Sequence, residues 1–196
     1  MQTPVIPSKP PPPLEKAIVS IGSGVAFKAQ STLSLKEIYM RILDPHDPQA
    51  TEIERLRGLS GKERDHYKSG LEAFTLSALF PARQRKKDEM ISHTGRLQID
   101  LDDKDHREAN LGQIRSQLFE DPHIELVCTS PSGKGLKAVM LIPVCDDPGQ
   151  HEMCFRAAER YLKQCYGLQM DRATKDVSRL CFLPSDPEAL VKWGDG

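Results

Sequence analysis

The stretch LQIDLDD, residues 97–103, alternates apolar and polar side chains and then runs into acid. Successive side chains of a strand point to opposite faces, so Leu97, Ile99 and Leu101 share one face, and Gln98, Asp100 and Asp102 share the other. A D-x-D pair on a strand aims two carboxylates the same way, about 6–7 Å apart from the strand rise. Like charges that close repel unless a cation or solvent screens them. Hard oxygen ligands at that spacing suit Mg²⁺ or Mn²⁺, and a third carboxylate usually completes a two-metal site. Asp171, in QMD, is the acid best placed to arrive at the same face. The plain alternative is a solvated strand end.

Downstream, Asp105 is expected to cap a helix near 106–119, with Glu108 completing a capping box and Leu111, Ile114 and Leu118 as its stripe. IELVCTS (124–130) reads as a strand, PSGKG as a turn and LKAVMLIPV (136–144) as another strand. Asp147 then caps a helix over 148–166, with Pro148 in its first position and Gly167 as its stop. Cys154, Ala158, Tyr161, Leu162 and Cys165 are its expected buried face. LQMD and SRLCFLP follow as short strands. The order β-α-β-β-α-β predicts an α+β fold of the ferredoxin-like or RNA-recognition-motif-like kind. In it the helices cover one sheet face and leave the aspartate face open.

Upstream, PSKPPPP within residues 1–14 cannot pair in a sheet or sustain a helix, which predicts a disordered leader. Residues 15–89 are expected to form a mostly helical elaboration of a core spanning 90–196. AIVSIGSGVAF suggests a short strand broken by glycines, and its G-x-G lacks the remainder of a dinucleotide fingerprint. Ser34 and Glu37 form a capping box before the stripe Leu35, Ile38, Tyr39 and Ile42. Two helices with breaks near Gly58, Gly61 and Gly70 should follow. Four positive charges lie between Arg83 and Lys87, either as a solvated loop or as a phosphate-contacting patch.

The 196 residues are enough for a sizeable core, and the net charge of −1 confines any nucleic-acid contact to a local patch. Five cysteines, at 128, 145, 154, 165 and 181, contain no C-x-x-C pair. That pattern fits reduced thiols in a cytoplasmic protein and disfavours a zinc ribbon or a disulfide framework. His151 and Cys154 sit three apart on a helix, but without a second ligand pair they do not make a zinc site. No apolar run is long enough to span a membrane, so no membrane partner is expected.

SPSGKGLK (130–137) joins two strands with glycines, serines and lysines, as an ordinary hairpin turn or as an anion cradle for a triphosphate. In order, LQIDLDD, SPSGKGLK, QMD, DVSR and FLPSDP resemble the motifs of the archaeo-eukaryotic primase (primase-polymerase) superfamily, in its VirE N-terminal-like branch. The resemblance covers residues 90–190 well and 30–89 more loosely. It implies a template-dependent nucleotidyltransferase that makes or extends primers in replication, with Mg²⁺ or Mn²⁺ as cofactor. Asp100, Asp102 and Asp171 become the catalytic, metal-binding acids. Ser130, Ser132, Gly133, Lys134, Gly135 and Lys137 become the nucleotide cradle, and Arg179 a phosphate contact. Implied partners are nucleoside triphosphates, single-stranded DNA template and a replicative helicase, fused or acting in trans. One departure stands out. The superfamily commonly has a histidine in its second motif, where this chain has Lys137, which can hold a phosphate but offers no neutral imidazole near pH 7. The rival readings are a degenerate primase-fold module that binds single strands or nucleotide, and a two-metal nuclease. An RNA-recognition-motif binder would need exposed aromatics on its sheet, and aromatics are 6% of the chain.

Overall fold

The structure is a computed structural model that describes residues 8–25, 27–82, 85–101 and 110–194. Asp102, Asp103, Asp105 and Glu108, and with them the expected cap and the first turn of the 106–119 helix, lie outside the described residues.

Strand β6 (Arg96–Leu101) contains residues 97–101 of the opening stretch, as expected. It pairs antiparallel with β8 (Leu136–Leu141), which pairs antiparallel with β7 (Ile124–Thr129). Strands β6 and β7 therefore run parallel with β8 between them, and helix α4 (Leu111–Glu120) makes the crossover. Asn110 caps α4, its side-chain oxygen accepting from the amides of Gly112 and Gln113. Helix α5 (Pro148–Tyr166) follows, capped by Asp147 and closed by Gly167 in the left-handed conformation. Leu97, Ile99 and Leu101 face both helices and pack with Ile114, Leu118, Phe155, Ala158 and Leu162. On α5, Cys154 and Tyr161 are half-buried, and Cys165, expected inside, is exposed; His151 and Phe155 take the inner positions instead.

The second face of this sheet is not open. Strands β1 (Ile18–Ser23), β2 (Lys28–Ser34) and β3 (Glu72–Phe74) form another sheet, in the order β2-β1-β3-β9. Its last member, β9 (Cys181–Phe182), comes from SRLCFLP, which was expected in the sheet of β6. The outer place beside β7 goes to β10 (Leu190–Val191). Helix α1 (Leu35–Leu43) carries the Ser34–Glu37 capping box, and its Leu35, Ile38, Tyr39 and Ile42 pack with Phe74, Leu126, Cys128, Val139, Cys181 and Leu183. Helices α2 (Pro48–Gly58) and α3 (Gly61–Gly70) break at the expected glycines. The N-terminal segment thus holds strands as well as helices, and its core is continuous with the face of β7 and β8 it covers. The short strands β4 (Ala78–Leu79) and β5 (Ser92–His93) pair with each other.

The described part of the proline-rich leader is docked, contrary to the expectation for residues 1–14. The Val144 amide donates to the Lys9 carbonyl at 2.8 Å, Arg96 donates to the Pro12 carbonyl at 2.7 Å, and Leu14 is buried. Prolines lack a backbone donor, and the leader docks by accepting, through the carbonyls of Lys9 and Pro12. Gly95 admits Pro11: it sits at φ +71°, and a Cβ there would meet Pro11 at 2.5 Å.

Candidate functional site

Asp100 is opposite Lys137 in the β6–β8 register, so the two side chains share a face. The Lys137 ammonium donates to Asp100 Oδ1 at 2.6 Å, and Gln98 Nε2 donates to Oδ2 at 2.9 Å. Both charged side chains are largely buried, at 11% and 17% exposure for lysine and aspartate. Burial pulls the Lys137 pKa down, but the facing Asp100 carboxylate more than offsets it, and the ammonium is held above its usual range. Lys137 is therefore an ion-pair partner of the first acid, a role its strand position permits and the cradle reading does not include.

Asp171 reaches the same place by backbone. Its amide donates to the Asp100 carbonyl at 3.0 Å, which runs the segment before it alongside the end of β6. Its Oδ1 accepts from the Ala173 amide at 3.0 Å and caps the short 3-10 helix Arg172–Lys175, while Arg179 lies 3.8 Å from Oδ2. Asp100, Lys137, Asp171 and Arg179 are thus brought together. Asp102, the second acid of the pair, lies outside the described residues. Asp176 instead holds a turn, accepting from the amide and hydroxyl of Ser178.

The glycine hairpin sits at the same end of the sheet. The Ser130 amide donates to the Gly135 carbonyl and the Gly133 amide to the Ser130 carbonyl, so the turn consumes two amides of the expected cradle. Ser130 and Ser132 hydroxyls lie 3.2 Å apart, Lys134 is exposed and Gly135 is buried. Gly133 adopts φ +74°, and a Cβ there would touch the Arg57 guanidinium at 3.4 Å. Arg57, which also donates to the Ser185 carbonyl, was not signalled by any motif.

Further cations converge here. Arg85, from the basic run, donates to the Ser178 carbonyl and lies 5.9 Å from the Phe27 ring centroid, with its Nε buried and without a hydrogen-bond partner. Burial lowers its pKa, with Arg179 adding repulsion and Asp176 opposing both. Lys68 stands 5.7 Å over the Phe182 ring. Cys181 senses the whole group: burial lifts its thiol to about 11, and Lys137, Lys68 and Arg179 pull against that while Asp100 adds to it. Two acids ringed by lysine and arginine could bind a divalent ion and a polyanion side by side. The Asp100 carboxylate keeps acceptor capacity, because an ionised carboxylate offers about four lone-pair sites and two are used.

The fold and this acid–base cluster define an α+β domain of two packed sheets with a charged site at one end of β6. The family model for the BT4734-like, N-terminal domain matches residues 66–190, well over half of the chain, and the protein belongs to that family. No curated protein and no solved structure matches it. No helix among the described residues is long and apolar enough to cross a membrane.

Proposed function

We propose that the protein is a primase-polymerase-type nucleotidyltransferase domain acting on single-stranded nucleic acid. The observation that carries this reading is the backbone bond from Asp171 to Asp100, which sets two acids distant in sequence side by side, each with a cation at hand. The parallel β6–α4–β7 crossover with β8 between its strands, followed by α5 and the Leu168–Asp171 segment beside β6, supports an RNA-recognition-motif-like core.

In this reading Asp100, Asp102 and Asp171 hold Mg²⁺ or Mn²⁺. Such ions, when bound, lower the pKa of an attacking 3′-hydroxyl and stabilise the leaving pyrophosphate. Arg179 and Lys134 bind triphosphate oxygens, and Lys137 fixes the Asp100 carboxylate in position through its 2.6 Å contact. The Arg57 side chain lies against Gly133 and adds a cation beside the hairpin.

A second reading rests on the 2.6 Å contact between Lys137 and Asp100. An ammonium already neutralising the first acid competes with a metal, which fits a degenerate module that binds strands or nucleotide without catalysis. Nucleotide incorporation on a single-stranded template with Mg²⁺ or Mn²⁺ separates the two. The enzyme reading expects metal-dependent incorporation that Asp100→Ala abolishes while metal-independent strand binding persists. Strand binding in the wild type with no incorporation under either metal favours the module.

A further inference from the structure

The pair His151 and Cys154 acquires in three dimensions the second ligand pair it lacks in sequence. His93 on β5, Cys145 in the loop before α5 and His151 in the first turns of α5 are all buried, and one ligand atom from each lies within 4.8 Å of the others. His93 Nε2 is 3.1 Å from His151 Nδ1, and Cys145 Sγ is 3.9 Å from Cys154 Sγ. In a tetrahedral site with metal–nitrogen and metal–sulfur bonds of about 2.0–2.3 Å, neighbouring ligand atoms are separated by about 3.3–3.8 Å. Both pairs fall close to that spacing; Cys154 Sγ stands outside the group formed by the other three, touches it through Cys145 at 3.9 Å, and would have to turn inward to complete the tetrahedron.

We propose that His93, Cys145, His151 and Cys154 form a structural site for a borderline-soft divalent metal of the zinc class. Mixed imidazole and thiolate donors select such ions over Mg²⁺. The site is separate from the acidic cluster and does not depend on the nucleotidyltransferase reading.

The hydrogen bonding is that of a metal-free site. The Gly95 amide donates to His93 Nδ1, which leaves the proton on Nε2, and that proton points at His151 Nδ1. His151 must then carry its own proton on Nε2, which is fully buried and finds no partner of hydrogen-bonding geometry, although the Thr174 backbone is near enough to favour its protonation slightly. A buried donor left unpaired is a cost that core packing alone does not explain. Burial holds the His93 pKa at about 3, helped by His151, and the His151 pKa at about 4, so both rings are neutral and able to ligate at pH 7. Metal entry takes the place of the proton between the rings, and the His93 proton moves to Nδ1. That move breaks the Gly95 bond. Each thiol that ligates releases one proton to solvent, and the Cys145 bond to the Pro143 carbonyl is given up. The metal would tie β5 and the loop to α5, with His151 beside Thr174 of the 3-10 turn that Asp171 caps.

Titration of the reduced, chelator-treated full chain with Co²⁺ and Zn²⁺ tests the site. One equivalent of Co²⁺ should give the intense visible bands of tetrahedral coordination with a thiolate-to-metal charge-transfer band, and Zn²⁺ should displace it. Cys145→Ser should remove the charge-transfer band or weaken metal affinity at least a hundredfold. Cys154→Ser, at a half-buried position that leaves the core intact, should weaken affinity about tenfold and halve the charge-transfer intensity. Circular dichroism of each metal-free variant identifies any that fails to fold, and the Cys154→Ser result then decides. A reduced wild-type chain without tetrahedral cobalt bands, or bands untouched by Cys154→Ser and by a folded Cys145→Ser, overturns the proposal. A Cys145–Cys154 disulfide in the oxidised chain with no metal binding after reduction overturns it as well.

Discussion

One face of β6 carries two ion pairs, and they are built to different ends. Arg96, at its start, donates through Nε and Nη2 to the two oxygens of Glu125 at 2.9 and 2.7 Å, and Tyr39 adds a third hydrogen bond to the same carboxylate. The remaining guanidinium nitrogen is taken up by the carbonyls of Pro12 and Thr94. Burial, reinforced by the Glu125 charge, lifts the Tyr39 pKa far above its ordinary value, so the phenol stays a donor. Four residues along, Asp100 and Lys137 make a single short contact, and among the described residues Gln98 is the one further side-chain donor to the carboxylate; the side-chain amide oxygen of Gln98 is buried and unpartnered. The first pair is saturated and sealed by the leader. The second retains lone pairs and stands among other charges, which is the arrangement the proposed ligand site requires.

Breaking the sealed end should have the largest effect. Glu125→Ala strands a buried guanidinium and leaves Tyr39 without its acceptor, so urea unfolding should register a loss of about 3–5 kcal/mol. A loss below 1 kcal/mol would mean that water reaches Arg96 and that the leader does not seal it. At the open end Lys137→Ala should cost less, about 1–3 kcal/mol, because Asp100 keeps Gln98 and some solvent. Adding Asp100→Asn to that variant should recover part of the loss; strict additivity of the two changes would show that the ion pair contributes nothing in solution.

Acid provides a finer comparison, through carboxylates with different partners. Asp121 accepts from Tyr161 and Tyr166 at 2.8 Å each and from the His123 amide, while Asp47 caps α2 and pairs with Arg41. Burial alone would raise both pKa values, but these bonds outweigh it and hold both below the ordinary aspartate value. Their stabilisation is complete above the unfolded pKa and is lost as pH falls through the lower folded one. Thermal unfolding should therefore show a melting temperature that drops below about pH 4, and Asp121→Asn should flatten part of that drop while lowering the plateau by about 1 kcal/mol. An unchanged acid limb in that variant would place the lost protons elsewhere.

The region around β6 was legible because its elements obey local rules. Period-two alternation marks β6, a glycine turn separates β7 from β8, and Asp147, Pro148 and Gly167 delimit α5. What could not be read depends on contacts remote in the chain. Strand β9 is two residues long and pairs with β3 more than a hundred positions away, so its apolar run fits either sheet equally well. Arg96, Gln98 and Asp100 look like a solvent face, and it is the N-terminal segment, with its leader, α1 and second sheet, that turns that face inward. The same holds for the site. Asp100, Asp171 and the hairpin were visible as motifs, while the use of Lys137 as an ion-pair partner follows from strand register. Arg57, Lys68 and Arg85 arrive from elements whose docking no local pattern records. His93 and Cys145 complete the histidine–cysteine cluster only because β5 and α5 meet.

The central claim is that the open end of β6 works on nucleotides with the help of a divalent ion. It is tested most directly by titrating the wild-type chain and Asp100→Ala with a nucleoside triphosphate, with and without Mn²⁺. The wild type should bind triphosphate only when the metal is present, and Asp100→Ala should lose that dependence together with the binding. Failure of the wild type to bind triphosphate under either condition, or binding that Asp100→Ala leaves unchanged, would contradict the claim.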